Sequence, residues 1–157
     1  MKIIHARKRD LKEIANLRKD TLLKITSKYL PPSDIKVLII MNSYKNLLWR
    51  HKYGNMFCLK DKGKILGTID LYNNEIKGFY IHHDYIEHGY GSILLRFIED
   101  LAIKNKYRKL KLNTNQSAVG FYLKKGYKIK KRIPPTGKKI KRIIYVMERV
   151  LKWNLFK

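Results

Sequence analysis

Two glycines, Gly89 and Gly91, stand between a strand-like run ending near Ile81 and a helical run that continues through Leu94, Phe97 and Ile98. Glycines so placed let the backbone curl until successive N–H groups point into one concavity at the positive end of a helix dipole, which suits a phosphate. The same turn serves equally well as a tight bend with no ligand. Spacing removes two nucleotide-binding patterns. A dinucleotide site needs a third glycine where Leu94 stands, and a P-loop needs Gly-Lys-Ser/Thr where the chain reads Gly91-Ser92-Ile93.

A second element lies downstream, Asn115-Gln116-Ser117-Ala118-Val119-Gly120-Phe121-Tyr122-Leu123-Lys124-Lys125-Gly126-Tyr127. With it the chain resembles the GNAT superfamily of N-acetyltransferases. Gly89 and Gly91 match that family's pyrophosphate turn, Q/R-x-x-G-x-G/A, and Asn115, Ala118, Phe121, Tyr122, Gly126 and Tyr127 match its later pattern, N-x-x-A-x-x-F/L-Y-x-x-x-G-F/Y, at every spacing. One position departs: Ile86 occupies the place of the family's Gln or Arg. The resemblance implies acetyl-CoA as cofactor. It places the pantetheine arm along Phe79, Tyr80 and Ile81 as an added strand, and the pyrophosphate on the turn formed by Ile86, Glu87, His88, Gly89, Tyr90, Gly91 and Ser92. Asn115, with Asn113 as helper, is implied to hold the pantetheine end; Asn115 reads equally as a helix N-cap.

Transfer of an acetyl group from a thioester to an amine needs a neutral amine, stabilisation of the growing oxyanion and a proton for the leaving thiolate. By resemblance Tyr122 lies near the thioester sulfur as the proton donor, although a phenol beside Phe121 also reads as ordinary packing. A backbone N–H near Ile81 is the implied oxyanion donor. Glu75 falls where the histone acetyltransferase branch carries its catalytic glutamate, and is the expected base; Asn73-Asn74-Glu75 reads also as a solvated turn. Asp70, His82 and His83 are alternates, with strand alternation expected to send the two histidines to opposite faces. No metal site is expected from a chain whose histidines have no clustered cysteine or further ligand beside them.

Periodicity supplies the elements that must position these groups. A strand over Lys2 to Ala6 precedes a helix in which Asp10 and Glu13 form a capping box and Leu11, Ile14, Leu17, Thr21 and Ile25 share one face. After Pro31-Pro32, Ser33 caps a second helix whose apolar positions, Val37, Ile40, Met41, Tyr44, Leu47 and Leu48, continue to Trp49. Strands are expected over Met56 to Leu59, Ile65 to Tyr72 and Ile76 to Ile81, separated by Lys62-Gly63 and Asn73-Asn74 turns. A third helix runs from the glycine turn to Lys104, a strand covers Leu110 to Leu112, and a fourth helix stops at Gly126. Strands Tyr127 to Ile133 and Ile140 to Val150 finish the chain. The fold class is α/β (α+β mixed): a central, mixed, mostly antiparallel and twisted sheet of about seven strands flanked by four helices, as in GNAT enzymes, in one domain spanning residues 1–157.

Composition bounds the rest. A length of 157 residues suits one core. No apolar run approaches the roughly 20 residues of a membrane helix, and the start lacks a signal-peptide core, so a cytoplasmic protein with no membrane partner is expected. The single cysteine, Cys58, sits in an apolar run and reads as core. The net charge of +24 has two readings. One is an AT-rich coding bias towards lysine. The other is a polyanionic partner, which suggests as an alternative function a catalytically silent GNAT-fold module that binds nucleic acid through Lys128, Lys130, Lys131, Arg132, Lys138, Lys139, Lys141 and Arg142. No nucleic-acid-binding motif accompanies the charge, so that partner is not favoured. The reading adopted is an N-acetyltransferase acting on an amine, small molecule or peptide, through a ternary complex. The acceptor groove is implied to lie between the first two helices, with the segment Ser27 to Ser33, and the last hairpin. Positive charge disfavours polyamines there and favours acidic peptides or anionic amines. Sheet edges and the tail with Trp153, Leu155 and Phe156 offer surfaces for a homodimer.

Overall fold

The computed structural model describes residues 1–138 and 140–152. Seven strands form one sheet: β1 (Lys2–His5), β2 (Asn55–Asp61), β3 (Lys64–Tyr72), β4 (Glu75–Ile81), β5 (Lys109–Thr114), β6 (Lys128–Ile133) and β7 (Ile144–Val150). Their spatial order is β1-β2-β3-β4-β5-β7-β6. Every neighbouring pair is antiparallel except β4 and β5, which run parallel because a helix crosses between them. The helices are α1 (Leu11–Lys24), α2 (Pro32–Met41), α3 (Tyr44–Tyr53), α4 (Tyr90–Lys104) and α5 (Val119–Lys124). The expected mixed sheet and its order of elements are thus present, with five helices in place of four.

Strand alternation divides the core between the two faces. Phe57, Leu59, Ile69, Leu71 and Ile76 pack with Leu94, Leu95, Ile98 and Ala102 of α4, and with Leu110, Leu112 and Met147 further along the sheet. Met56, Cys58 and Ile65 face the other way, against Leu11, Ile14 and Leu17 of α1 and Leu47 of α3. Each such side chain, fully buried, contributes about 1.5–3 kcal/mol by leaving water. Cys58 is wholly buried, and burial pushes its thiol up to about 11, so it stays protonated as core.

Three local expectations are corrected. Asp10 does not form a box with Glu13. A single 3-10 turn, Lys8–Asp10, precedes α1; the Asp10 carboxylate accepts from the Arg7 N–H at 2.8 Å and pairs with Lys60 at 2.6 Å. Glu13 instead accepts from the Ile65 N–H at 3.0 Å. The second helix is two: α2 ends at Met41, and α3 begins after Ser43, because the Asn42 side chain turns inward to bind its own backbone and neighbouring polar groups. Ser33 is not the cap of α2. Pro31 holds that position with extended backbone, and the Ser33 hydroxyl is buried without a partner. The tail residues Trp153, Leu155 and Phe156, and Lys139, lie outside the described residues.

Candidate functional site

The parallel strands β4 and β5 pair at only two positions, Glu75 with Lys111 and Ile76 with Leu112. Beyond them β5 continues beside β7 as far as Thr114, and β4 continues beside β3 as far as Ile81. The two strands therefore part, leaving the edge of β4 from Lys77 to Ile81 without a strand neighbour on that side. An unpaired strand edge is a template for an extended chain. Here it is enclosed by other elements rather than open at the sheet margin.

A bulge sets the course of β4. The register with β3 shifts between Thr68 and Asp70, so Gly78 and Phe79 together oppose Ile69, and Gly78 adopts φ +54°. Beneath it lies a polar network that the sequence did not announce. The Arg18 guanidinium, wholly buried, donates to Thr68 Oγ1 (3.1 Å), Asn42 Oδ1 (3.2 Å) and both Asp70 oxygens (2.9 and 3.4 Å). Burial pushes the Asp70 carboxyl up, and the adjoining Arg18 charge opposes that push. Thr68 Oγ1 donates in turn to the Gly78 carbonyl, Asn42 Nδ2 donates to the Tyr80 hydroxyl, and Thr21 Oγ1 donates to the Ile81 carbonyl at 2.9 Å. Residues of α1 and of the α2–α3 junction thus hold the free-edged half of β4 in place. Only Gly78, a glycine inside a strand pattern, carried a hint of this.

At the far end of β4, His83–Tyr85 make one 3-10 turn. Ile86 is extended, Glu87 has φ +65° and Gly89 has φ +84° before α4 begins at Tyr90. Among the described residues, no backbone N–H from Ile86 to Ser92 donates a hydrogen bond to the protein. A run of orphan donors at the N-terminus of a 15-residue helix is suited to cradle an anion. Gly91 sits against the Phe121 ring, 3.5 Å from where a Cβ would lie, so a larger side chain there would fill the space beside the turn. Ile86 leaves the cradle without the polar side chain of the family pattern, and its donors are all main-chain.

Between the parted strands lies an aromatic floor. Phe79 meets Phe121 at 5.9 Å and Tyr122 at 6.2 Å, and Tyr122 meets Tyr127 at 5.6 Å. Tyr122 is buried, and burial, with the nearby Tyr80 phenol, pushes its hydroxyl far up, so it keeps its proton throughout the physiological range. Among the described residues its side chain makes no hydrogen bond. Asn115 lies past β5, where its Oδ1 accepts from the Ser117 N–H at 2.9 Å and from the Ser117 hydroxyl. Its carbonyl accepts from Ala118 and Val119, which gives a capping turn before α5. Asn113 is exposed on the opposite face of β5 from buried Leu112.

Glu75 stands where β4 and β5 are still paired, on the α1 side of the sheet, with its side chain a quarter exposed and 4.0 Å from Lys77 Nζ. Both Asp70 oxygens accept from Arg18, at 2.9 and 3.4 Å. The histidines do not point to opposite faces: β4 ends at Ile81, His82 begins the 3-10 turn, and the rings of His82 and His83 stack at 4.4 Å. His82 Nδ1 accepts from the Asp84 N–H, and burial, with His83 beside it, lowers the His82 imidazole. His82, His83 and Asp84 are near enough to share a cation, but Lys24 Nζ sits 3.0 Å from His83 Nε2 and opposes one.

Polar contacts also link the parted halves away from the strands. Gln116 Nε2 donates to the Tyr29 carbonyl at 3.3 Å, joining the α1–α2 connection to the turn after β5. Asp34, wholly buried at the start of α2, pairs with Arg142 at 2.8 Å and accepts the Lys141 N–H, fixing the β6–β7 connection. Arg142, named with the basic residues of that hairpin, is therefore buried and already paired.

The sequence pattern of the acetyltransferase (GNAT) family matches residues 19–127. A comparison with curated protein sequences finds no match. Among solved structures, the GCN5-related N-acetyltransferase from Rhodopseudomonas palustris superposes with a TM-score of 0.88 at 18% identity, covering 96% of this chain and 95% of that one. The PaiA N-acetyltransferase from Thermoplasma acidophilum, determined in complex with coenzyme A, gives 0.77 at 19% identity over 95% of this chain and 98% of that one. An aminoglycoside 6'-N-acetyltransferase complexed with coenzyme A gives 0.67 at 14% identity over 98% and 99%. At these identities the likeness is one of fold.

Proposed function

Because the chain belongs to the acetyltransferase (GNAT) family, we propose that it transfers an acetyl group from acetyl-CoA directly to an amine, within one ternary complex. The observation that carries this reading is the parting of β4 from β5 with the orphan-donor turn at its mouth. Those features fit the cofactor's chemistry: an extended amide chain for a free strand edge, and a pyrophosphate for a main-chain cradle.

When bound, acetyl-CoA supplies a thioester carbonyl open to attack by an amine. The protein's part is to orient and to manage protons. The edge of Phe79, Tyr80 and Ile81 binds the pantetheine amides as an added strand. The N–H groups from Ile86 to Ser92 bind the pyrophosphate. Asn115 lends its side-chain amide near the pantetheine, its Oδ1 being already committed to Ser117. Asn113, exposed on the other face of β5, is the weaker candidate. Tyr122, kept protonated by burial, donates its hydroxyl proton to the departing sulfur, and the Phe79–Phe121–Tyr122 floor excludes water. The Glu75 carboxylate takes the ammonium proton at the paired end of the strands, where Lys77 stabilises its charge.

Calorimetry with acetyl-CoA tests the binding half of this reading; no heat, together with no thermal stabilisation, would sink it. For the acid role, Tyr122→Phe is expected to lower kcat by roughly 100-fold or more while leaving acetyl-CoA affinity unchanged. Equal turnover in the two proteins would remove Tyr122 from the chemistry.

A further inference from the structure

A cavity of about 220 Å³ opens on the α1 side of the sheet, away from the glycine turn and lined in part by Tyr72, the register partner of Glu75. Its floor is Met56, Leu71 and the edge of Asp70; its walls are Trp49, Arg50, Tyr72 and Lys77. Trp49 and Tyr72, both lining this cavity, are left 62% and 43% exposed, so each offers an aromatic face to an occupant. Trp49 stacks on Tyr53 along α3, and Lys77 Nζ lies 5.7 Å from the Tyr72 ring, so the aromatic walls are held in position.

The charges facing this space do not cancel. Asp70 is matched by Arg18 behind it, and Lys77 is matched by Glu75 at 4.0 Å. Arg50 remains: its charge, after that of Arg18, also opposes the upward push of burial on the Asp70 carboxyl, but among the described residues its side chain has neither a hydrogen bond nor an ion pair. The surplus is one positive charge, on the group best suited to a planar carboxylate. A cavity smaller than the roughly 300 Å³ lower bound of ordinary ligand sites holds a single ring with one short arm, not a peptide or an oligosaccharide. Tyr72 is the register partner of Glu75, so an occupant seated here extends towards the proposed base.

From this placement we infer that the cavity binds an aromatic carboxylate, with the carboxylate on Arg50 and the ring between Trp49 and Tyr72, and that this is the acceptor end of an amine whose nitrogen reaches Glu75. The ring-and-carboxylate site stands on the cavity alone; its assignment to the acceptor rests on the acetyltransferase reading. The net charge of +24 favours the same class of substrate by drawing in anions.

Two amines that differ only by the carboxylate, para-(aminoethyl)benzoate and phenethylamine, test the inference on the intact protein. Calorimetry is expected to detect para-(aminoethyl)benzoate binding at least tenfold tighter than phenethylamine, with that preference lost in Arg50→Gln. In acetylation assays kcat/KM should follow the same preference, and Lys77→Met should reduce it less than Arg50→Gln does. Equal binding of the two amines, or a preference that survives Arg50→Gln, overturns the inference. Binding of the carboxylated amine without acetyl-CoA binding would retain the cavity and remove the acetyltransferase reading. Acetyl-CoA binding with no carboxylate preference would do the reverse.

Discussion

A methyl group added at Gly78 would lie 2.2 Å from Asp70 Oδ2 and 2.6 Å from the Arg18 guanidinium, on a backbone already at φ +54°. Neither neighbour is a free flexible tip, since both are bound in the network under the bulge. Gly78→Ala is therefore expected to destabilise the fold by about 3 kcal/mol, the combined result of left-handed strain and a displaced buried ion pair. Urea denaturation checks this, and a loss below about 1 kcal/mol would mean that the bulge relaxes at little cost. The network itself could not be read from the chain. Arg18 follows Leu17 and precedes Lys19 in a helix rich in solvated lysines, and a charged residue is rarely buried without a partner. Its partners, Thr68 and Asp70, come from β3, a distance in sequence that no local pattern bridges. Gly89, Gly91 and Tyr122 stood out in the chain because the family pattern that contains them depends on spacing within short segments, and that pattern matches residues 19–127. Arg50 was not, because its importance is the absence of a partner.

Elements were easier to read than their joints. Apolar periodicity carried the seven strands and the long helices, where burial of one face decides the local conformation. It failed at Asn42, where the apolar stripe resumes in phase at Tyr44 and conceals the break between α2 and α3. It failed also at Asp10, whose carboxylate found Lys60 on β2 rather than the next helical turn. The joint between α2 and the β6–β7 connection makes a sharper test. Removing the guanidinium in Arg142→Ala leaves the Asp34 carboxyl group wholly buried with, among the described residues, the Lys141 N–H as its remaining partner. The expected cost is about 3–5 kcal/mol, accompanied by faster cleavage of the 134–141 connection in limited proteolysis. Unchanged stability would show that the pair is not what fastens this connection.

Across the whole molecule, 36 basic residues face 12 acidic ones, and three of those acids, Asp10, Asp34 and Asp70, are buried against cations. Each of those acids cancels the cation it is buried against, so the net charge of +24 is carried by the rest of the molecule, which repels itself. Salt screens such repulsion over a Debye length of about 10 Å at 0.1 M, so the melting temperature is expected to rise as sodium chloride increases from low to moderate concentration; a fall would indicate that exposed ion pairs outweigh the repulsion. No helix among the described residues is long and apolar enough to cross a membrane. The same global view gives the short ladder between β4 and β5 another meaning. Among the described residues, two register pairs and the hydrogen bonds of Asn74 with Lys109 and Lys111 join the β1-to-β4 plate to the β5-β7-β6 plate within the sheet, so the molecule carries a crease down its middle. On the proposed function, a pantetheine arm lying along the free margin of β4 would close that crease like a zip, and its departure would leave the protein mechanically softer at the place where it works.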